Sequence, residues 1–232
     1  MEVQLLKTFS FEAAHRHPGD SGPGGRIHGH SFKVETLLKG AVDPESGWVV
    51  DFAVIKREVK PVLDLIDHRY LNDIAGLEVP SPEKVSDWIA SRLRARLDFD
   101  LEVRVDCRET TSAEIERLRP SRPGSLPERW VLRFEAAHSL PKTPPGHKCR
   151  RLHGHSYRLE VEATEPAPVP KALERLFELL DHRCLNDVEG LENPTAEIMA
   201  GFFGDRLSRE GVEPASVFVS ETCESGCFFF GK

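Results

Sequence analysis

Eight of the chain's ten histidines fall in short strings that occur twice, in the same order. FEAAH ends at His15 and again at His138, HGHS begins at His28 and at His153, and DHRxLND carries His68 and His182. His28 and His30, like His153 and His155, are separated by one residue, so on an extended strand both imidazoles leave the same face. Two neutral imidazoles on one face can share a cation. A third, His15 or His138, comes alongside them when the preceding strand pairs antiparallel with theirs. Three imidazoles with no repeated thiolate or carboxylate leave a fourth tetrahedral position for water or substrate, the pattern of a catalytic zinc. An isolated HxH is a weak metal signal. Here it recurs with a third histidine at a nearly matched distance, and shared ancestry of fold alone does not require imidazole at three places. Zn2+, one ion per copy and up to two per chain, is favoured over iron or copper because it suits all-imidazole sites.

The copies differ where it matters most for chemistry. Cys149 stands four residues before His153, and the first copy has Gly24 at the corresponding place. Lys148, Arg150 and Arg151 surround the cysteine, and cations lower a thiol's pKa and populate the thiolate, a base or nucleophile. A fourth metal ligand and an inert buried thiol are the competing readings. Asp67-His68 and Asp181-His182 close predicted helices, where they either complement the helix dipole and cap the turn or relay protons near neutral pH. Glu109 and Glu221 end matching strands, in RET and SET. Such a glutamate is either solvated or aimed into a pocket, where it accepts two parallel hydrogen bonds from an amidine-like N–H pair.

These residues need a scaffold, and each copy spells the same one. VQLLKTFSFEAAH and RWVLRFEAAH are rich in apolar, aromatic and β-branched residues, and SFKVETLLKG and SYRLEVEAT alternate apolar with polar, as half-buried strands do. Helices follow. Asp51 is a plausible N-cap for FAVIKREVKPVLDLID, where Pro61 introduces a kink, and KALERLFELLD is its counterpart. Ser81 and Thr195 cap the second helices, with Glu83 and Glu197 two residues on. LEVRVDCRET and EIERL close the first copy, SVFVSET and GCFFFG the second. The order is ββααββ, twice, an α+β chain. Its domains are 1–116 and 130–232, with the Pro-rich stretch 117–129 as linker.

Composition narrows the partners. The 232 residues have a formal net charge of −7, and no Lys/Arg run offers a surface to nucleic acid. The start of the chain lacks the basic and apolar regions of a signal peptide, and no apolar run approaches the ~18–20 residues of a membrane span. The expectation is a cytoplasmic protein, with five cysteines read as reduced thiols.

FEAAH, CxxxHGHS, DHRxLND, GLENPTxE and SETCxxGC together resemble the superfamily of 6-pyruvoyl-tetrahydropterin synthase and 6-carboxytetrahydropterin synthase. The resemblance spans nearly all of 129–232 and, with losses, 1–116. It implies two tandem tunnelling-fold (T-fold) units, each an antiparallel sheet with two helices on one face. It also implies edge-to-edge joining of units into trimeric barrels, and so a trimer of tandem chains with a barrel of first copies stacked on a barrel of second copies. Carried over to this sequence, His138, His153 and His155 would hold zinc, with His15, His28 and His30 as their first-copy counterparts. The zinc would engage the side-chain hydroxyls of 7,8-dihydroneopterin triphosphate and acidify the adjacent C–H bonds. Cys149 would be the base. Asp181 and His182, or Asp67 and His68 across an interface, would be its proton-transfer partner. Glu221, with Thr195 and Glu197 lining the ring, would bind the pterin, as Glu109 would in the first copy. The three-residue gap between Cys149 and His153 is similar to the carboxytetrahydropterin branch, whose product is 6-carboxy-5,6,7,8-tetrahydropterin with acetaldehyde and triphosphate released, a step toward queuosine and other deazapurines. The pyruvoyl reaction and a non-catalytic pterin-binding module are the alternatives.

Overall fold

The computed structural model describes residues 2–43, 45, 48–108, 112–118, 128–221 and 226–230. The first unit opens with a long antiparallel hairpin, β1 (Glu2–His15) and β2 (His28–Ala41), in register from Glu2 opposite Ala41 to His15 opposite His28. Helix α1 (Phe52–Leu63) starts where expected, because the Asp51 carboxylate accepts the Ala53 N–H at 2.7 Å. It runs through Pro61 and ends two residues later. A two-residue strand, β3 (Arg69–Tyr70), pairs parallel with β1, α2 (Pro82–Leu93) is capped by Ser81, and β4 (Asp100–Cys107) pairs antiparallel with β2.

After β5 (Ile115–Leu118) the second unit repeats the plan. It consists of β6 (Arg129–His138), β7 (His153–Ala163), α3 (Val169–Leu180), β8 (Arg183–Cys184), α4 (Ala196–Arg209), β9 (Pro214–Ser220) and β10 (Gly226–Phe230). Its sheet runs β10-β9-β7-β6-β5, and that of the first unit β3-β1-β2-β4. The strand expected to close the first unit, β5, therefore hydrogen-bonds not to β4 but to β6, Ile115 opposite Leu132 through Leu118 opposite Arg129. The stretch read as a linker begins inside β5 and ends on the first residue of β6, and 119–127 lie outside the described residues. Pairing to β6 gives β5 ladder partners that β4 does not supply, and it covers part of an open sheet edge.

Each unit has its own core between sheet and helices. On α3, Val169, Leu173, Leu176 and Leu180 form one buried stripe. At ~1.5–3 kcal/mol for each large side chain buried, this stripe rather than intrinsic propensity keeps the 12-residue helix folded. No helix among the described residues is long and apolar enough to cross a membrane.

Candidate active site at the contact of the two units

The antiparallel registers set His15 opposite His28 and His138 opposite His153. The three imidazoles of each unit thus collect at one end of its hairpin. Ring centroids in the first triad lie 4.5–5.0 Å apart. In the second they lie 4.5–5.1 Å apart, with Nε2 of His138 and His153 separated by 3.1 Å. All six rings are at most 3% exposed.

Burial, reinforced for four of these rings by neighbouring imidazoles and for His155 by His68, lowers the pKa of His28, His138 and His155 to about 3 and of His153 to about 2, and His15 moves in the same direction. These five rings are neutral at physiological pH, the form that binds a cation. Both ring nitrogens of His15 and Nε2 of His155 are buried without a protein partner. Buried polar atoms are rarely left so, and a metal ion is the partner that such a donor set fits.

The outer nitrogens explain the rest of the HGHS string. Nδ1 of His28 and of His153 faces the carbonyl two residues earlier, Arg26 O at 2.8 Å and Arg151 O at 2.7 Å. Nδ1 of His155 faces Glu12 Oε2 at 2.9 Å, and Nδ1 of His30 faces Glu135 Oε2 at 3.1 Å. Each FEAAH glutamate therefore orients a histidine of the other unit, while also accepting the hydroxyl of Ser31 or Ser156 from its own. A carboxylate behind a metal-ligating imidazole fixes its tautomer and raises its basicity. Sequence reading missed Glu12 and Glu135, although their recurrence inside a repeated string was the signal. The glycine of HGH has an equally direct cause: a Cβ on Gly29 would sit 2.3 Å from Cα of Gly154, and the reverse holds for Gly154. The two units cross back to back at this point.

The crossing decides which Asp-His pair meets which triad. His68 and His182 have φ of 54° and 52°, a conformation that costs a non-glycine residue ~1–3 kcal/mol. Each is held there by its backbone N–H to Glu12 O or Glu135 O at 2.6 Å. Nδ1 of His68 bonds Asp67 at 2.9 Å, and that of His182 bonds Asp181 at 2.6 Å. The resulting geometry carries each ring into the opposite unit. His68 stacks on His153 with centroids 4.4 Å apart, and His182 lies 4.3 Å from His28. Asp181-His182 is thus placed at the first triad, not beside Cys149, and Asp67-His68 is the pair placed at the second.

Cys149 sits in a short 3-10 turn, Lys148–Arg150, and is half-buried. Its neighbours tie the turn to the Asp-His pair: Lys148 Nζ lies 3.5 Å from Asp67, and Arg151 Nε donates to His68 O at 3.0 Å. Burial raises the Cys149 thiol above its ordinary value, Glu221 and Asp67 push the same way, and these outweigh Lys148 and Arg151. The sequence-based expectation of a thiolate populated by neighbouring cations is corrected accordingly. For Asp67, burial pushes upward, but hydrogen bonds from His68 and the Glu12 N–H hold the carboxyl below its ordinary value.

Glu221 reaches the same place. One of its carboxylate oxygens lies within 4.8 Å of ring nitrogens of His138 and His155, and Oε1 is buried without a protein partner. Burial, with Glu197 and Glu12 nearby, raises its pKa to about 7. Thr195 caps α4 by accepting the Ile198 N–H, and Glu197 is exposed on the first turn. Glu109 lies outside the described residues.

Comparison with known proteins adds to this geometry. The family model described as 6-pyruvoyl tetrahydropterin synthase matches residues 4–118 and again 129–232. The chain belongs to the 6-pyruvoyl tetrahydropterin synthase family. It is a lyase of the carboxy- or pyruvoyl-tetrahydropterin synthase type. Among its relatives is a 6-carboxy-5,6,7,8-tetrahydropterin synthase of Synechocystis, 40% identical over 94 residues that cover 38% of this chain and 73% of that protein. A putative 6-carboxy-5,6,7,8-tetrahydropterin synthase of Archaeoglobus fulgidus is 41% identical over 108 residues, covering 47% and 90%. A dihydroneopterin monophosphate aldolase of Pyrococcus furiosus is 32% identical over 104 residues, covering 45% and 86%. The solved structure of Caenorhabditis elegans 6-pyruvoyl tetrahydropterin synthase matches 47% of this chain and 97% of its own at 26% identity, with a TM-score of 0.38.

Proposed function

We propose that this family member is a zinc-dependent 6-carboxy-5,6,7,8-tetrahydropterin synthase acting on 7,8-dihydroneopterin triphosphate and releasing acetaldehyde and triphosphate. The observation that carries the reading is the convergence, across the unit contact, of the second triad, the Cys149 turn and Asp67-His68. His138, His153 and His155 would hold the ion, which supplies Lewis acidity toward the substrate's side-chain hydroxyls. Cys149, once its thiol has given up its own proton, is the base that takes a substrate C–H proton. His68, its tautomer set by Asp67, exchanges protons with the reacting carbons. Glu221 accepts the pterin's paired N–H groups, with Thr195 and Glu197 beside the ring.

Three chains are proposed to assemble as a barrel of first units on a barrel of second units, in the cytoplasm. The back-to-back crossing at Gly29 and Gly154 supports such stacking. Product analysis with dihydroneopterin triphosphate tests the function. Acetaldehyde in equal amount with triphosphate, from protein containing zinc, is the expected outcome. Triphosphate without acetaldehyde would establish the pyruvoyl reaction instead, and neither product would leave a pterin-binding module.

Glu221 supplies a pH test. Its pKa is raised, so it is ionised above about pH 7 and protonated below. Only the ionised form offers two acceptors to an N–H pair. KM is therefore expected to climb as pH falls through about 7, and Glu221→Gln should raise KM by about 10–100-fold at pH 8 while flattening that dependence. A pH-independent KM in the wild type would count against this role.

A further inference from the structure

The first unit lacks the thiol, yet its backbone keeps the thiol's place. The Leu140 N–H donates to Cys149 O at 2.7 Å, and in the first unit the His17 N–H donates to Gly24 O at 2.8 Å. Both turns are 3-10, Pro23–Gly25 and Lys148–Arg150, and both lead to the carbonyl that faces Nδ1 of the first HGH histidine. Gly24 is therefore the structural counterpart of Cys149, and His17 that of Leu140. A Cβ on Gly24 would lie 3.3 Å from Cδ2 of His17 and 2.6 Å from Oδ2 of Asp20. The space that a cysteine side chain would enter is taken by the His17 imidazole and the Asp20 carboxylate. The His17 ring packs 4.9 Å from that of His15, as close as the triad rings lie to one another, and 6.4 Å from that of His28. From the opposite side, Asp181-His182 closes on His28.

A copy that had merely lost its cysteine would leave a gap or fill it with an apolar residue, as Leu140 does beside the working turn. Here the replacement is a side chain that both donates and accepts hydrogen bonds, next to three buried imidazoles and a complete Asp-His pair. We propose that the first unit's histidines form a second pterin site, in which His17 rather than a thiol faces the ligand's hydroxylated side chain and Asp181-His182 completes the enclosure. The proposal rests on the function assigned to the second unit. It gives the chain two ligand sites of different chemistry, and Asp181-His182 a purpose that the Cys149 site does not.

The test is equilibrium binding of neopterin, a fluorescent pterin with a hydroxylated side chain, to the full-length zinc-loaded Cys149→Ala protein. Two sites per chain are expected. Adding His17→Leu, the residue that the second unit carries at that place, should weaken one of them by about tenfold, the loss of a good hydrogen bond, and leave the zinc content at two ions per chain. His182→Ala should weaken the same site, and His68→Ala the other. One site that His17→Leu does not touch, or two sites both indifferent to it, would overturn the proposal. No neopterin binding at either unit would overturn the pterin reading of the second unit and this proposal with it. Loss of zinc in His17→Leu would also overturn it, by showing that His17 serves the metal and not the ligand.

Discussion

In the absence of Cys149, as in Cys149→Ala, acetaldehyde release is expected to stop, and His68→Ala is expected to lower kcat by about 10²–10⁴-fold, the contribution of a positioned proton-transfer group. His182→Ala should leave acetaldehyde release largely intact. The asymmetry follows from the crossing of the units. His68 stacks on His153 and shares Asp67 with the Cys149 turn through Lys148, whereas His182 packs against His28 of the other triad. The residues along the chain leave two partners open for Cys149, the Asp-His pair of its own copy and that of the other, and in the fold the turn that carries Cys149 contacts the other copy's pair. The measurement is kcat by acetaldehyde detection for the three variants, with zinc counted in each to exclude loss of the ion. A His182→Ala protein as impaired as His68→Ala, or a fully active His68→Ala, would sink the crossed assignment.

Gly154→Ala is expected to damage both sites at once, although alanine is the smallest side chain that could be added. Its Cβ would meet Gly29 Cα at 2.3 Å and Ala136 O at 2.8 Å. These are backbone atoms of ladder strands and cannot swing aside as a side-chain end can, so the two units must part. Overpacking of this kind costs ~1–3 kcal/mol or more, which for a chain of this size lowers Tm by ~2–4 °C per kcal/mol. The larger effect is on geometry. Separation draws His68 from His153, His182 from His28, and the two glutamates from the imidazoles they orient, Glu12 from His155 and Glu135 from His30. Loss of such an orienting carboxylate typically weakens metal binding by ~10–100-fold. Calorimetry and zinc competition with a chelator measure the two effects. A Gly154→Ala protein of unchanged Tm with both zinc ions tightly held would show that the units do not meet at these glycines.

Much of the local structure was readable from residue types. Strand alternation, the Asp51, Ser81 and Thr195 caps and the HxH spacing each depend on neighbours within a few residues, and all appear where expected. The position of β5 was not readable. EIERL is a short strand with little apolar content, and whether it joins β4 or β6 depends on which edge is open in three dimensions. The balance at the Cys149 thiol is not readable for a related reason: the neighbouring cations are visible in the sequence, but the burial that opposes them is not.

His17 marks the same boundary. It stands two residues after the first FEAAH, where the second copy has Leu140, but only its backbone bond to Gly24 and its packing on His15 show that it occupies the thiol's side of the triad. The sequence by itself determined that three imidazoles gather in each unit, because a period of two along a strand and antiparallel pairing are local rules. Only the tertiary structure decided that each gathering is completed from the other unit. That outcome rests on two glycines whose missing side chains let the backbones touch, and on two histidines held in a left-handed conformation that aims them across the contact.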